Sequence, residues 1–544
     1  MIARIRYWLP MLLLALVALP LPTANAQQEK KAVALMSVSS VDGLFANISY
    51  LTDAAGYGDF GQMAPILADP YLKGVDRANP IGMVLTTDGT DFSPLGFVPI
   101  KDLKQVFESL EEAVGAPRSL GNGVYEVPGP QPIFVKEQGG WAFIGQTIES
   151  VGGKLPENPV AMLGQMAQDY DIALRGNIQN VPKEYIDMAV RALQDGVKAG
   201  LEQLPEEDRE DQEALIKAQM EQMETYITES DQITVGWKTS PAEKRTYIDL
   251  TFTAVPGGAL AKQMNEMANA KSDFTGFLLP GAAMSVSIAS DIPAEQIESS
   301  VEALENLKKT ALQEIDKDED LENAESRRAA KDMVSAAMEI FAETIKTGKM
   351  DGGMSVMMEP GNISVLGGFH VASGKDIEDV LRRLAKMAEE EPDFPGIKFN
   401  ADRSEGVDFH TMSVPVPEDE GARKVLGPTL EMAVGTGEDS AYIGFGTNCV
   451  AKLKEIIGSQ PKQKSVPPFQ LTISATPIME FVSAMDDNPL MASVTEALKA
   501  SGDKDHVKLH GIPIKNGFTY RVEIEEGILK GIGEASKMAN GGGF

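Results

Sequence analysis

The feature that most narrows the folds open to this chain is that it states one layout twice. Four landmarks in the first half return in the same order in the second. A small-residue strand, ALMSVSS from Ala34, is answered by AAMSVSIAS from Ala282. A strand running into a helix, GFVPIKDLKQVF from Gly96, is answered by GFHVASGKDIEDVL from Gly368. WAFIGQTI from Trp141 and AYIGFGTNCV from Ala441 both read as a strand turning into a helix. LRGNIQNVPKEYIDMAV from Leu174 and LTISATPIMEFVSAM from Leu471 share a strand followed by a proline, Pro182 or Pro477. That proline opens a helix, where its missing N–H is tolerated. Such a chain closes a core around one strand-and-helix unit two times over. No reactive group is common to the two copies, which directs attention to shape and surface.

Alternation ended by turn residues marks the strands. IGMVLTTDG from Ile81 stops at Asp88-Gly89, and PIFVKEQGGWAFIG from Pro132 predicts a hairpin around Gly139-Gly140. DQITVGWKTSPAEKRTYIDLTFTAV from Asp231 alternates on both arms of a second hairpin. Its counterpart is HVKLHGIPIKNGFTYRVEIEEG from His506, turning at Asn516-Gly517. GGMSVMMEPGNISVLGGFHVA from Gly352 turns at Pro360-Gly361. Helical spacing predicts a helix from Pro182 to about Leu204, and another after Pro205 with an apolar stripe of Leu215, Ile216, Met220 and Met223. In the second copy Ile297, Val301, Leu304 and Leu307 share one face. Met333, Val334, Ala337, Met338, Phe341 and Ile345 share another, and the two helices predict an antiparallel pair. Hairpins with helices laid on them give an α+β architecture, two tandem related modules of antiparallel strands packed against long amphipathic helices.

Residues 1–26 read as a secretory signal: Arg4 and Arg6, an apolar run from Met11 to Leu21, then a small-residue site ending at Ala26. No later stretch is apolar over the length a spanning helix needs. With 49 Lys+Arg against 80 Asp+Glu the net charge is −31, which repels nucleic acid and anionic lipid. Cys449 is the single cysteine, so no internal disulfide forms. Methionine is frequent, at 26 residues, and its flexible side chain is expected to fill the core.

The candidate sites each lack a requirement of their chemistry. The acidic run DKDEDLENAESR from Asp316 offers Asp316, Asp318 and Asp320, but Leu321 and Arg327 stand where a calcium loop needs glycine and a bidentate glutamate. His506 and His510 have helical ligand spacing in a strand-like stretch. Four residues of strand separate their side chains by roughly 13 Å, too far for one ion. His370 and His410 also lie in strand-like segments. Cys449 follows Thr447 and Asn448 at a helix start, a setting that lowers a thiol pKa, yet it aligns with Ile148 in the first copy, which suggests packing. GTGEDS from Gly435 lacks the third glycine of a dinucleotide fingerprint and reads as a turn. Two sequons, at Asn47 and Asn362, matter only in a eukaryotic secretory route. No serine elbow, phosphate loop or zinc-binding helix motif is present.

The layout resembles large exported bacterial proteins built from repeated strand–helix modules, on no diagnostic motif, and no functional residue is carried over from them. The sequence therefore predicts a signal peptide at 1–26, a first α+β module at 27–268, a second at 269–538 and a disordered tail at 539–544. It predicts an exported protein of the periplasm, cell surface or extracellular space. No catalytic, cofactor-binding or metal-binding residue is assigned, and no cofactor is expected. The expected role is binding of a lipid, another hydrophobic ligand or an envelope protein, or service as a scaffold. The alternative is a secreted hydrolase using acidic residues, recognisable by carboxylates converging in one cleft.

Overall fold

Glycine pairs and Asn-Gly or Pro-Gly steps cut the alternating stretches into hairpins. Gly139 and Gly140 take φ of 62° and 82°, the left-handed pair that a two-residue turn between twisted strands demands. The computed structural model describes residues 30–544 apart from 203–219, 221–222, 318–323, 390–393, 417–422, 425, 460–463, 486–487 and 540–544. The predicted signal, the predicted tail beyond Ala539, the acidic run at 318–323 and most of the helix expected after Pro205 lie outside the described residues; Ala539 itself ends a helix that begins at Glu526.

Twenty strands of four residues or more are numbered here in chain order. They are β1 Lys31–Val38, β2 Ile81–Thr87, β3 Phe92–Pro99, β4 Arg118–Gly121, β5 Val124–Val127, β6 Ile133–Gln138, β7 Trp141–Gly145, β8 Ile172–Asn177, β9 Ser230–Ser240 and β10 Arg245–Ala254. The series continues with β11 Met284–Asp291, β12 Lys349–Glu359, β13 Asn362–His370, β14 Lys398–Ser404, β15 Val407–Pro415, β16 Thr429–Thr436, β17 Ser440–Phe445, β18 Phe469–Ser474, β19 His506–Ile514 and β20 Gly517–Glu525.

The chain divides into two compact units. The N-terminal unit takes the described residues within Met1–Val190, then Ile227–Val255 and Thr519–Phe544; the other takes Arg191–Tyr226 and Pro256–Phe518. In the N-terminal unit the strands lie in the order β4-β5-β6-β7-β3-β2-β1-β8-β9-β10. Strand β20 lies beside β10. In the C-terminal unit the order is β14-β15-β16-β17-β13-β12-β11-β18-β19. Counted from each unit's first strand, the nine strands of the second order follow the first nine of the first. All of these registered pairings are antiparallel, and helices lie between the strands, so the architecture is α+β.

Helices begin and end where capping chemistry puts them. Helix Leu103–Val114, which follows β3, starts at Asp102, whose carboxylate accepts from the Lys104 and Gln105 amides, and stops at Gly115 with φ 84°. Helix Gly374–Ala388, which follows β13, starts at Ser373, whose hydroxyl accepts from the Asp376 amide. Helices Ala294–Lys317 and Ala324–Lys346 form the expected antiparallel pair, pinned by Lys331–Asp316 and Lys308–Glu339.

One core of the N-terminal unit gathers Phe97, Phe143, Val151, Leu163 and Met166 on one side of the sheet. A second gathers Ile100, Leu103, Val127, Val135 and Ala142 under helix Leu103–Val114. The C-terminal unit centres on Phe274, Phe277, Phe409, Tyr442, Cys449 and Leu453. Methionine departs from expectation. Among the described residues Met166 and Met264 are buried, while Met63, Met188, Met223, Met387 and Met485 on helices and Met350 and Met432 on strands are exposed. Unbranched methionine is a good helix former and is tolerated on solvent-facing helix surfaces, so its abundance does not measure the core.

Candidate functional site

Helix Leu103–Val114 lies over strands whose facing residues are short. Val98, Val127, Val135, Ala142 and Ile144 form the floor, and Leu103, Val106, Leu110 and Val114 form the roof. The one large ring of the helix, Phe107, meets Tyr125 edge-on with centroids 5.2 Å apart. Branched but short side chains on both layers leave a cavity of about 90 Å³. Its lining is almost wholly carbon. A buried water needs two to four polar partners, so this space stays dry and favours an apolar occupant. Tyr71, Leu72 and Val75 close one side, and Gly115 and Pro117 stand where the helix ends.

Further along the same sheet the chemistry is ionic. Asp249 on β10 is buried and accepts two hydrogen bonds from Arg521 on β20, Nε to Oδ1 at 2.7 Å and Nη2 to Oδ2 at 2.8 Å. Such a planar fork is the strong form of a carboxylate contact. Tyr170 donates its hydroxyl to Asp249 at 3.0 Å. Its ring lies over Gly236, where a Cβ would stand 2.4 Å from the ring. Burial, with the Asp249 charge second, pushes the Tyr170 hydroxyl up to about 12. Arg521 sits 3.7 Å from the Tyr247 ring centroid, and Arg245 bridges Glu243 and the buried Glu523. Thr251 and Thr519 share a hydrogen bond of 2.9 Å. The charged groups answer one another, so the cluster joins β10 to β20; it presents no carboxylate set apart for proton transfer.

A second buried carboxylate, Asp171, accepts from the Thr239 amide at 2.7 Å and from Asn47 Nδ2 at 2.7 Å, and pairs with Lys238 at 3.2 Å. The sequon amide of Asn47 is thereby committed inside the fold.

The sequence-derived candidates do not converge on the cavity. His370 Nε2 is 3.1 Å from the Thr347 hydroxyl. His410 is buried, its Nε2 3.0 Å from Thr436 Oγ1 while its Nδ1 accepts from the Asn400 amide, and burial pulls its pKa down. His506 and His510 lie on strand β19, as the alternation predicted, and His506 Nδ1 is 3.4 Å from Asp505. Among the described residues no three His, Cys, Asp or Glu side chains are grouped for a metal ion. Asp316, at the edge of the acidic run, pairs with Lys331. Cys449 is fully buried under Gly444; burial, with the Glu431 charge second, pushes its thiol up to about 11, so burial outweighs the helix start. The GTGEDS stretch is the turn between β16 and β17, closed by the Gly437 amide donating to Ser440 O.

No family model, no curated protein and no solved structure matches this chain. No described helix is long and apolar enough to cross a membrane. The cavity itself was not foreseen from the sequence. Its only sequence signal is a surplus of Val, Ile and Ala at positions facing an amphipathic helix.

Proposed function

We propose that this is an exported, non-catalytic binding protein, built from two related α+β modules at 27–268 and 269–538, that takes a short alkyl group of a hydrophobic ligand into the cavity under helix Leu103–Val114. The observation that carries the reading is that cavity, a dry carbon-lined space of about 90 Å³ between sheet and helix. What supports the doubling is the common strand order and the placing of the four repeated landmarks. Each falls at the same step of that order: β1 and β11, β3 and β13, β7 and β17, β8 and β18.

Size limits the occupant. An apolar cavity of about 150 Å³ accepts benzene. The smaller space here suits a short or branched alkyl end, with the rest of a longer ligand outside. Binding to the folded form alone raises stability by mass action. Straight-chain alcohols of roughly four to eight carbons, titrated in a thermal-unfolding assay, are expected to raise Tm, the shorter members most. Ala142→Val combined with Val106→Leu fills the space and is expected to abolish the response while raising Tm by itself. Absence of any shift, or an equal shift in the filled variant, sinks the proposal.

A further inference from the structure

Strands β8, β9, β10 and β20 turn the usual polarity of a sheet around. Along β9 the sequence alternates Ile233-Thr234-Val235-Gly236-Trp237, and along β10 Ile248-Asp249-Leu250-Thr251. On the side of Asp249 the buried residues are Thr234, Asp249, Thr519 and Glu523, beside the small Ala173 and Gly236. The exposed set is apolar. Leu174 lies opposite Val235, Val235 opposite Leu250, and Trp237 opposite Ile248. The Thr251–Thr519 and Asp249–Arg521 bonds put those four residues on one side of β10 and β20, so Tyr520 and Val522 share the side of Leu250 and Ile248. Leu174, Val235, Ile248, Leu250, Tyr520 and Val522 are between 43 and 53% exposed. A contiguous apolar field of a few hundred Å² on a folded protein is often functional.

The C-terminal unit has a row that shares the counterparts of two of these strands, β18 for β8 and β19 for β9. Met354, Val286, Leu471 and Leu509 lie opposite one another across β12, β11, β18 and β19, and each is half-buried. There, helices Ala475–Met485 and Ala324–Lys346 pack against β12. The apolar row of that unit thus meets helices at its β12 end. Four strands about 4.8 Å apart, with three outward rows about 6.8 Å apart, give a patch of roughly 300 Å². That is well below the roughly 800 Å² per partner of a stable dimer, and two copies carrying −31 each repel. The same charge disfavours an anionic membrane and favours a basic partner.

We propose that the outward face of β8, β9, β10 and β20 is a docking site for an amphipathic helix of a partner protein, with an apolar stripe on the sheet and Lys/Arg along its flanks. The test uses the full chain and a synthetic 18-residue helix of Leu and Lys at amphipathic spacing, read by the emission of Trp237 and by calorimetry. A blue shift with saturable binding is expected. The triple variant Val235→Thr, Ile248→Thr, Leu250→Thr keeps strand-forming residues on an exposed face; its Tm is expected to hold while affinity falls at least tenfold. Should that variant not fold, Tyr520→Ser with Val522→Thr repeats the measurement from the neighbouring strand. Equal affinity for folded variant and parent, or no binding, overturns the proposal. So does a dimer dissolved by the substitutions, or neutral phosphatidylcholine vesicles captured by the same face.

Discussion

Beneath helix Leu103–Val114 the N-terminal unit sets valines, isoleucines and an alanine, and space remains. Helix Gly374–Ala388 follows β13 as the other follows β3, and it faces larger groups. Arg382 lies 4.2 Å from the Phe399 ring centroid, and Phe399 stands 5.3 Å from the ring of the buried His410. One place in a common strand order is thus hollow in one unit and filled by an aromatic, an imidazole and a guanidinium in the other. The helix, its cap and its strand supply the scaffold. The size of a few inward side chains decides whether space remains between helix and sheet.

The largest expected contrast tests packing. Phe277 is fully buried against Tyr442, ring centroids 5.9 Å apart, so Phe277→Ala is expected to lower stability by about 3–5 kcal/mol. Phe107→Ala, bordering space that is already open, is expected to lower it by about 2 kcal/mol. Denaturant unfolding followed by hydrogen exchange in each unit reads both, and equal losses would erase the distinction between filled and hollow.

Arg521→Met comes next. It strands the buried Asp249 carboxylate, and a loss of about 3 kcal/mol is expected, localised to the N-terminal unit. The double variant with Asp249→Leu is expected to recover much of it, because a matched apolar pair needs no partner charge. A double variant as weak as the single one would show that the fork itself holds β10 against β20.

The smallest effect is a pH dependence confined to the filled unit. Burial lowers the His410 pKa, with Glu378, Arg382 and Asp408 as the charges around it. The unfolded chain therefore binds the proton first, and stability from this site is complete above about pH 6.5 and declines as pH falls through and below it. Denaturant midpoints between pH 5 and 8 are expected to show the slope, and His410→Gln to flatten it.

Much of the fold was legible because local signals agree with it. The glycine pair at 139–140 and Pro360-Gly361 each separate two strands, and the predicted Asn516-Gly517 turn falls one residue earlier, at Lys515-Asn516. The doubled landmarks mark corresponding steps of the strand order. The short strands RSLG and VYEV were not legible, since four residues are too few for a period to declare itself. The cavity was hidden for another reason. Its volume is what remains after Val98, Val127, Val135, Ala142 and Ile144 are summed, and those residues come from β3, β5, β6 and β7. The exposed field shows a third limit. Alternation along β9 and β10 told which residues share a side, but the pairing of Asp249 with Arg521, 272 positions away, determined which side went inward.

That return of the chain bears on the order of assembly. Strand β20 and the helix Glu526–Ala539 belong to the N-terminal unit, although all of Pro256–Phe518 intervenes. The guanidinium that neutralises Asp249 is therefore synthesised 272 positions after the carboxylate it meets. Until β20 leaves the ribosome, the Asp249 carboxylate lacks its counter-charge, so β10 gains its native neighbour β20 only after all of Pro256–Phe518 has been made.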